Sequence, residues 1–186
     1  MKAITVWSKV VTVIVLLCLK GEGQTRPPVP DADSPQAASC AALEYHQFDF
    51  WMGDWDAFDI DGAGRVSPSK SARVRVDRIL EGCVLREEYE GTDGLKGQSF
   101  SIYDASRKLW HQSWVTNRGQ LLVIEGSFTA GEMVLTGVEH KPGIRTIVRG
   151  TWKMVNGGVR ETAVTSTDRG KTWKPWFDIL FRRHER

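Results

Sequence analysis

Alternation of apolar and polar side chains with a period of two dominates the sequence from about Phe48 to the C-terminus. Short runs of β-branched and aromatic residues are separated by turn residues at intervals of about 8–12 residues, which is typical of antiparallel strands. No segment after Gln47 has the apolar repeat of an amphipathic helix. The predicted strands span residues 52–60, 70–79, 83–90, 97–103, 108–115, 120–127, 132–138, 143–154, 158–166 and 173–183.

The residues between these strands favour tight hairpins. Asp93-Gly94 and Asn156-Gly157 are examples, because Asp, Asn and Gly tolerate positive φ. Ten antiparallel strands in sequential hairpins leave two exposed edges unless the sheet closes on itself. The sequence therefore predicts an all-β fold, a single antiparallel closed barrel of about ten strands, with a short helical turn near residues 41–47 covering one end.

The N-terminal segment indicates export. The apolar run Val10–Leu19 follows Lys2 and Lys9, and its ten residues are too few to span a bilayer but suit a signal peptide. We predict a signal peptide at 1–23, a Pro-rich disordered linker at 24–44 and the barrel domain at 45–186. The mature protein would then be periplasmic or secreted, with no membrane span after cleavage; an uncleaved anchor is the alternative.

The formal net charge of +2 belongs to the N-terminal segment. Three of the 25 Lys and Arg residues and one of the 23 acidic residues lie in the first 22 positions, which leaves 22 of each sign. No basic patch is interleaved with aromatic residues, so nucleic acid is not predicted as a partner. The oligomeric state stays open.

Cys40 and Cys83 are the two cysteines left after signal removal. Two cysteines in an oxidising compartment can form a disulfide, here pinning the end of the linker to the barrel near the third strand. Two unpaired buried thiols are the alternative.

Strand alternation selects the side chains that face the interior. Seven of the eight Trp residues lie after position 50, so large rings are expected to fill or line it. The predicted ligand-binding residues of the lumen are Glu87, Tyr89, Trp110, Gln112, Trp114, Arg149 and Glu161. Glu87 and Glu161 could act as an acid–base pair, or form a structural network with Arg149 as their counter-ion.

Gly53-Asp54-Trp55 at the start of the first strand, with Arg182 or Arg183 at the end of the last, resembles the structural signature of the calycins, the lipocalins and fatty-acid-binding proteins. The resemblance implies that Trp55 closes one end of the barrel and that one of the two Arg residues packs over its ring.

Ser166-Thr167-Asp168-Arg169-Gly170-Lys171-Thr172-Trp173 matches the Asp-box found in sialidases and other β-propellers. The motif implies a folded hairpin in which Asp168 caps the loop, Gly170 takes positive φ and Trp173 packs beneath. A single copy without internal repeats predicts a structural hairpin and not glycosidase activity.

Together with Phe48–Trp55, Ile79–Cys83 and Trp110–Val115, these motifs resemble an uncharacterised family of exported bacterial calycin-like proteins, over residues 45–183. The resemblance favours the Cys40–Cys83 bridge, since the family places Cys at both positions. It also leads us to expect Gln at position 161 and an aromatic residue at 163. Glu161 and Ala163 instead imply a more acidic and roomier lumen.

The sequence thus predicts an exported barrel that binds a small, partly apolar molecule in an aromatic, sparsely polar lumen. One alternative is a small isomerase or cyclase whose base is Glu87 or Glu161. Another is a haem-binding barrel, but His111 is expected to face outward and His184 lies at the chain end, so neither a cofactor nor a metal site is predicted. The last is a solid barrel that acts in envelope interactions.

Overall fold

The computed structural model describes residues 40–141 and 143–185, without the side chain of Lys141. The predicted signal peptide and most of the predicted linker therefore lie outside the described residues. Residues 40–44, which the sequence prediction placed in the linker, form a turn and the start of a 3₁₀ helix over Leu43–His46. A second 3₁₀ helix spans Asp49–Trp51.

Ten antiparallel strands follow the two 3₁₀ helices and confirm the all-β prediction. They are β1 (Gly53–Asp59), β2 (Ala72–Ile79), β3 (Val84–Gly91), β4 (Lys96–Asp104), β5 (Leu109–Thr116), β6 (Leu121–Thr129), β7 (Glu132–Lys141), β8 (Ile144–Val155), β9 (Gly158–Ser166) and β10 (Lys174–Arg183).

The sheet closes because β1 pairs with β10 as well as with β2. Trp55 lies opposite Arg183 in this last pairing, and every other pairing joins strands that are consecutive in the chain. Closure satisfies the backbone groups of both edge strands, as the sequence argument expected. The architecture is consistent with a calycin-like fold.

The two 3₁₀ helices close one end of the barrel, which we call the closed end. The disulfide between Cys40 and Cys83 holds the chain there, so the predicted bridge is confirmed. Arg78 of β2 adds a second tie, since its guanidinium donates to the Tyr45 carbonyl oxygen at 2.7 Å and forms an ion pair with Asp49. The segment before β1 is thus fixed to the β2–β3 hairpin by a covalent bond and by a charged cluster.

Trp55 and Arg183 form the contact that the calycin resemblance implied. The Arg183 guanidinium carbon lies 3.9 Å from the centroid of the Trp55 ring, whereas Arg182 lies over Phe58 at 5.1 Å. Glycine suits position 53, because its φ is 145° and a Cβ there would fall 1.6 Å from Nη1 of Arg183 and displace the guanidinium from the Trp55 ring. The structure therefore resolves the two-way alternative in favour of Arg183.

The predicted Asp-box is a folded hairpin between β9 and β10. Asp168 accepts hydrogen bonds from the Ser166 hydroxyl at 2.7 Å and from the Thr172 backbone amide at 2.9 Å. Gly170 has a φ of 83°, and its amide donates to the Ser166 hydroxyl oxygen at 2.8 Å. These contacts agree with a structural role for the motif.

Aromatic side chains fill the interior near the closed end. Trp51 stacks on Trp55 with a centroid separation of 5.8 Å, and Phe48 makes edge contacts with Trp110 and Trp152. Trp110 donates its indole N–H to the side-chain oxygen of Gln47 at 3.1 Å. The core is therefore solid at this end. No helix in the described part of the chain is long and apolar enough to cross a membrane.

Candidate functional site

The other half of the barrel is hollow. Its cavity has a volume of about 260 Å³ and extends towards the hairpins that follow β3, β5 and β9, an end that we call the mouth. Leu95, Gln120 and Trp176 stand near those hairpins and line the cavity. The remaining lining residues are Glu87, Tyr89, Gln112, Trp114, Leu122, Ile124, Val148, Gly150, Trp152, Glu161, Ala163, Phe177, Ile179 and Phe181. A mostly apolar wall with a few polar groups is typical of a small-molecule pocket.

Glu87 on β3 is one of two carboxyl groups in the cavity wall. Its register partner on β4 is Ser99, which is 1% exposed and donates its hydroxyl hydrogen to a Glu87 carboxyl oxygen at 2.8 Å. Burial raises the pKa of Glu87 to about 7, although the Ser99 hydrogen bond favours the ionised form. Glu87 can therefore gain or lose a proton near neutral pH.

Glu161 on β9 is the second carboxyl group. It lies opposite Trp152 of β8, whose side chain hydrogen-bonds to it. Burial raises the pKa of Glu161 well above its ordinary value, and the negative charge of Glu87 raises it further. Both carboxyl groups are half-buried, and two such groups that sense each other in one cavity resist carrying two negative charges at once.

Tyr89 and Trp114 form an aromatic corner beside Glu87. Their ring centroids are 5.8 Å apart in an edge-to-face arrangement. The Trp114 ring lies over Gly97, where a Cβ would come within 2.3 Å of it, so glycine makes room for the indole. Burial raises the pKa of Tyr89 to about 12, so its phenol stays neutral and can donate a hydrogen bond.

Gln112 supplies a polar group from β5. It is 4% exposed, and its side-chain amide donates to the Ser101 hydroxyl oxygen at 2.9 Å. Nearer the mouth, the Gln120 amide donates to a carboxyl oxygen of Glu139 at 3.0 Å. The polar groups of the wall are thus arranged as short hydrogen-bonded pairs within an apolar surround.

Five of the seven residues predicted for the lumen line the cavity, namely Glu87, Tyr89, Gln112, Trp114 and Glu161. Trp110 also points inward, but it belongs to the solid core at the closed end. The predicted lumen position of Arg149 is wrong. Its side chain is exposed on the outside of β8, where its guanidinium carbon lies 4.1 Å from the centroid of the Trp173 ring. The Asp-box hairpin thus holds Arg149, and the two Glu residues lack the expected counter-ion.

The sequence prediction missed Trp152 and Trp176 as lining residues. Trp152 shares a strand face with Val148 and Gly150, and this apolar set could have been preferred over the set containing Arg149. Trp176 lies where the pairing of β10 with β9 shifts between Pro175 and Phe177, and such a bulge disrupts simple alternation.

The four His residues lie away from the cavity wall. His111 on β5 contacts Glu125 at 2.9 Å, His184 contacts Asp56 at 2.9 Å, and His46 contacts Asp49 at 2.8 Å. His140 is exposed on β7. Within residues 40–141 and 143–185, no group of three His, Cys, Asp or Glu side chains could hold a metal ion.

The fold and cavity define a closed ten-strand barrel that is hollow at one end. No model of a known protein family matches the chain. A search of the curated proteins finds no match either.

Proposed function

We propose that this domain binds a small, partly apolar molecule in the hollow half of its barrel. The observation that carries the proposal is the 260 Å³ cavity, whose wall combines aromatic and aliphatic side chains with Glu87, Glu161 and Gln112. A cavity of this size does not fit the alternative of a solid barrel acting only through its surface.

Direct measurement of binding tests this proposal. The probe is 2-phenylethanol, a neutral ring with a short polar chain, observed by ligand NMR and titrated by calorimetry. The same protein, purified under native conditions, is extracted and examined by mass spectrometry for a co-purifying molecule. We expect saturable binding of the probe, and an interior that takes up neither the probe nor any cellular molecule would contradict the proposal.

Ala163 offers a matched pair of variants for this test. It is 3% exposed and lines the cavity, whereas Thr162 precedes it on β9 and faces outward. Ala163→Phe should fill the cavity and lower probe affinity at least about tenfold, because the added ring occupies the ligand's space. Thr162→Phe adds the same ring outside the barrel and should leave the affinity unchanged.

A second candidate function is acid–base catalysis on a small apolar substrate. The observation that favours it is the buried Glu87 carboxyl group with a pKa of about 7, since a general base works best when its pKa is near the working pH. Such a base would remove a proton from the carbon next to a carbonyl group and return one from solvent. Deuterium uptake into phenylacetone in heavy water tests this, and equal uptake with the wild-type protein and Glu87→Gln would exclude Glu87 as the base.

We also propose that the domain works outside the cytoplasm and without haem. The Cys40–Cys83 disulfide supports export, because such bonds persist in oxidising compartments. The outward contact of His111 with Glu125 argues against a haem ligand from β5. Fractionation of cells that express the full chain tests the first statement, and the absorption spectrum after addition of haemin tests the second; a Soret shift would refute it.

A further inference from the structure

We propose that the cavity selects a small organic cation, an amine on an aromatic or aliphatic body, with its ammonium group held by Glu87 and Glu161. The inference rests on the proposed binding function and adds the charge and chemical class of the ligand. It is carried by two carboxyl groups in an aromatic cavity that contains no matching positive charge.

Glu87 and Glu161 are the charged side chains that line the cavity in the part of the chain that the structure describes. Among the described residues, no Lys, Arg or His lines the cavity, and Arg149 lies outside it. Besides each other, the groups that face Glu87 and Glu161 are the Ser99 hydroxyl, the Trp152 indole and the Tyr89 phenol. Asp59 and Asp93 act on Tyr89 from further away, and Asp93 is itself paired with Arg118 at 2.8 Å. A carboxylate that is partly withdrawn from water gains stability when it is paired, and a cationic ligand would supply the partner that the cavity wall lacks.

The carboxyl oxygens have hydrogen-bonding capacity to spare. The contacts found are one from the Ser99 hydroxyl to Glu87 and one from the Trp152 side chain to Glu161. An ionised carboxylate offers about four acceptor sites, and a primary ammonium group offers three donors. An ammonium group can therefore satisfy both side chains together, whereas a single hydroxyl group can donate to only one of them.

The aromatic wall suits the same kind of ligand. Tyr89, Trp114, Trp152 and Trp176 all line the cavity. Ring faces attract ammonium groups when water is excluded, and Trp provides the strongest of these contacts. The rings also supply apolar surface for the body of the molecule. The carboxyl groups and the aromatic rings are independent features of the wall, and both favour an organic cation as the ligand.

Cavity volume limits the size of the amine. An apolar cavity of about 150 Å³ accommodates one benzene ring, so 260 Å³ leaves room for a ring with a short chain. The compound 2-phenylethylamine has this size and carries a primary amine. It differs from 2-phenylethanol only in the terminal group, which makes the two compounds a matched probe pair.

The affinity for the amine should rise with pH. Burial raises the pKa of both carboxyl groups, to about 7 for Glu87, so in acid they are neutral and attract the ammonium group weakly. An alkylammonium group stays charged up to a pH of about 10. Binding at neutral pH should therefore release a proton and strengthen between pH 5.5 and 8.

The experiment titrates the full domain with 2-phenylethylamine and with 2-phenylethanol at pH 5.5 and pH 8, by calorimetry at constant ionic strength. We expect the amine to bind at least about tenfold more tightly than the alcohol at pH 8, and the preference to shrink at pH 5.5. In Glu87→Gln/Glu161→Gln the preference should fall below about threefold. Gln has nearly the same size as Glu, so the double variant should keep the fold. If it does not fold, the single variants Glu87→Gln and Glu161→Gln provide the comparison. Glu88→Gln, on the outer face of β3, is the matched control and should keep the preference.

The possible results distinguish failure of the amine proposal from failure of the proposed binding function. Equal affinity for amine and alcohol at pH 8 would overturn the amine proposal and leave the binding function intact. A preference that survives loss of both carboxyl groups would overturn it as well. Failure of both probes to bind, together with the absence of any co-purifying molecule, would overturn the binding function itself.

Discussion

At the scale of single residues, the burial of Glu87 links the chemistry of the cavity to the stability of the fold. Its side chain faces an apolar wall, and Ser99 gives it one hydrogen bond. The ionised form is therefore disfavoured, which is why the pKa rises from 4.5 to about 7. A carboxyl group placed in this way opposes folding when it is charged.

Glu87→Gln should stabilise the domain at alkaline pH. The folded-state pKa of Glu87 lies above the unfolded value, so its contribution to stability is complete below about pH 4.5 and is lost as pH rises through about 7. Each pKa unit corresponds to about 1.4 kcal/mol, which predicts a gain of about 3 kcal/mol for the variant at pH 8 and little change at pH 5.

Urea unfolding of the wild type and of Glu87→Gln at the two pH values measures this difference directly. Glu88→Gln is the control, since Glu88 lies outside and pairs with Arg75 and Arg86. A gain of the same size at pH 5 and pH 8 would show that the effect comes from packing and not from the charge of Glu87.

Alternation selected the correct inward face of β3 and of β5, whereas on β8 it selected the face with Arg149 although the opposite face carries Val148 and Trp152. Glu87 shares its face with Leu85 and Tyr89, while the opposite face of β3 is charged, so alternation selects the correct side. On β8, Val148 and Arg149 belong to faces that each mix apolar and small or polar residues. The position of Arg149 depends on Trp173, a residue from another hairpin, and local alternation contains no information about that contact.

At the scale of elements, the Asp-box hairpin positions the strand that carries part of the mouth. Asp168 binds the Thr172 amide at 2.9 Å and the Ser166 hydroxyl at 2.7 Å, and β10 begins two residues after Thr172. Trp176 and Phe177 follow on β10 and line the cavity. A turn motif known only for a structural role therefore fixes the start of a strand on which the candidate site depends.

Asp168→Ala should loosen this hairpin without unfolding the barrel. The Thr172 amide would lose its acceptor, and hydrogen exchange at this amide should accelerate at least about tenfold, because exchange follows local opening. The amides of β3 and β4 should exchange as in the wild type. Since the hydrogen bonds to Asp168 lower its pKa, wild-type protection of the hairpin should also decline as the solution becomes strongly acidic. Unchanged exchange at Thr172 in the variant would contradict the capping role.

The turn residues in the sequence predicted the strand bounds, but they did not predict the bulge in β10. Each strand begins and ends within about three residues of its sequence prediction, because Gly, Asp and Asn mark most of the turns. Trp176 sits at the shift in register between Pro175 and Phe177. Whether a strand bulges there depends on its pairing with β9, which becomes defined only in the folded sheet.

At the scale of the whole molecule, one end of the barrel is packed and the other holds the cavity. The closed end holds the aromatic core, the Trp55–Arg183 contact and the Cys40–Cys83 disulfide. The mouth end holds the cavity with Glu87 and Glu161. Every strand runs from one end to the other and is hydrogen-bonded to a neighbour on each side. The packed end therefore helps to hold the strands in place at the mouth.

This division predicts that loss of the disulfide lowers stability and spares binding. The bridge joins residues 43 positions apart, and closing a loop of that length in the unfolded chain predicts about 4 kcal/mol of stabilisation as an upper value. Cys40→Ser/Cys83→Ser should therefore unfold at lower urea concentration. The β1–β10 pairing and the contacts of Arg78 with Tyr45 remain, so the variant should still fold into the closed barrel.

Binding of 2-phenylethanol to the disulfide-free variant provides the decisive measurement. Its affinity should stay within about twofold of the wild-type value at a temperature where both proteins are folded, because every lining residue of the cavity belongs to the strands or to hairpins at the mouth. The matched comparison is Ala163→Phe, for which the opposite pattern is expected, with affinity lost and stability kept. If removing the disulfide abolished binding as well, the two ends would be coupled and the closed end would have to be treated as part of the site.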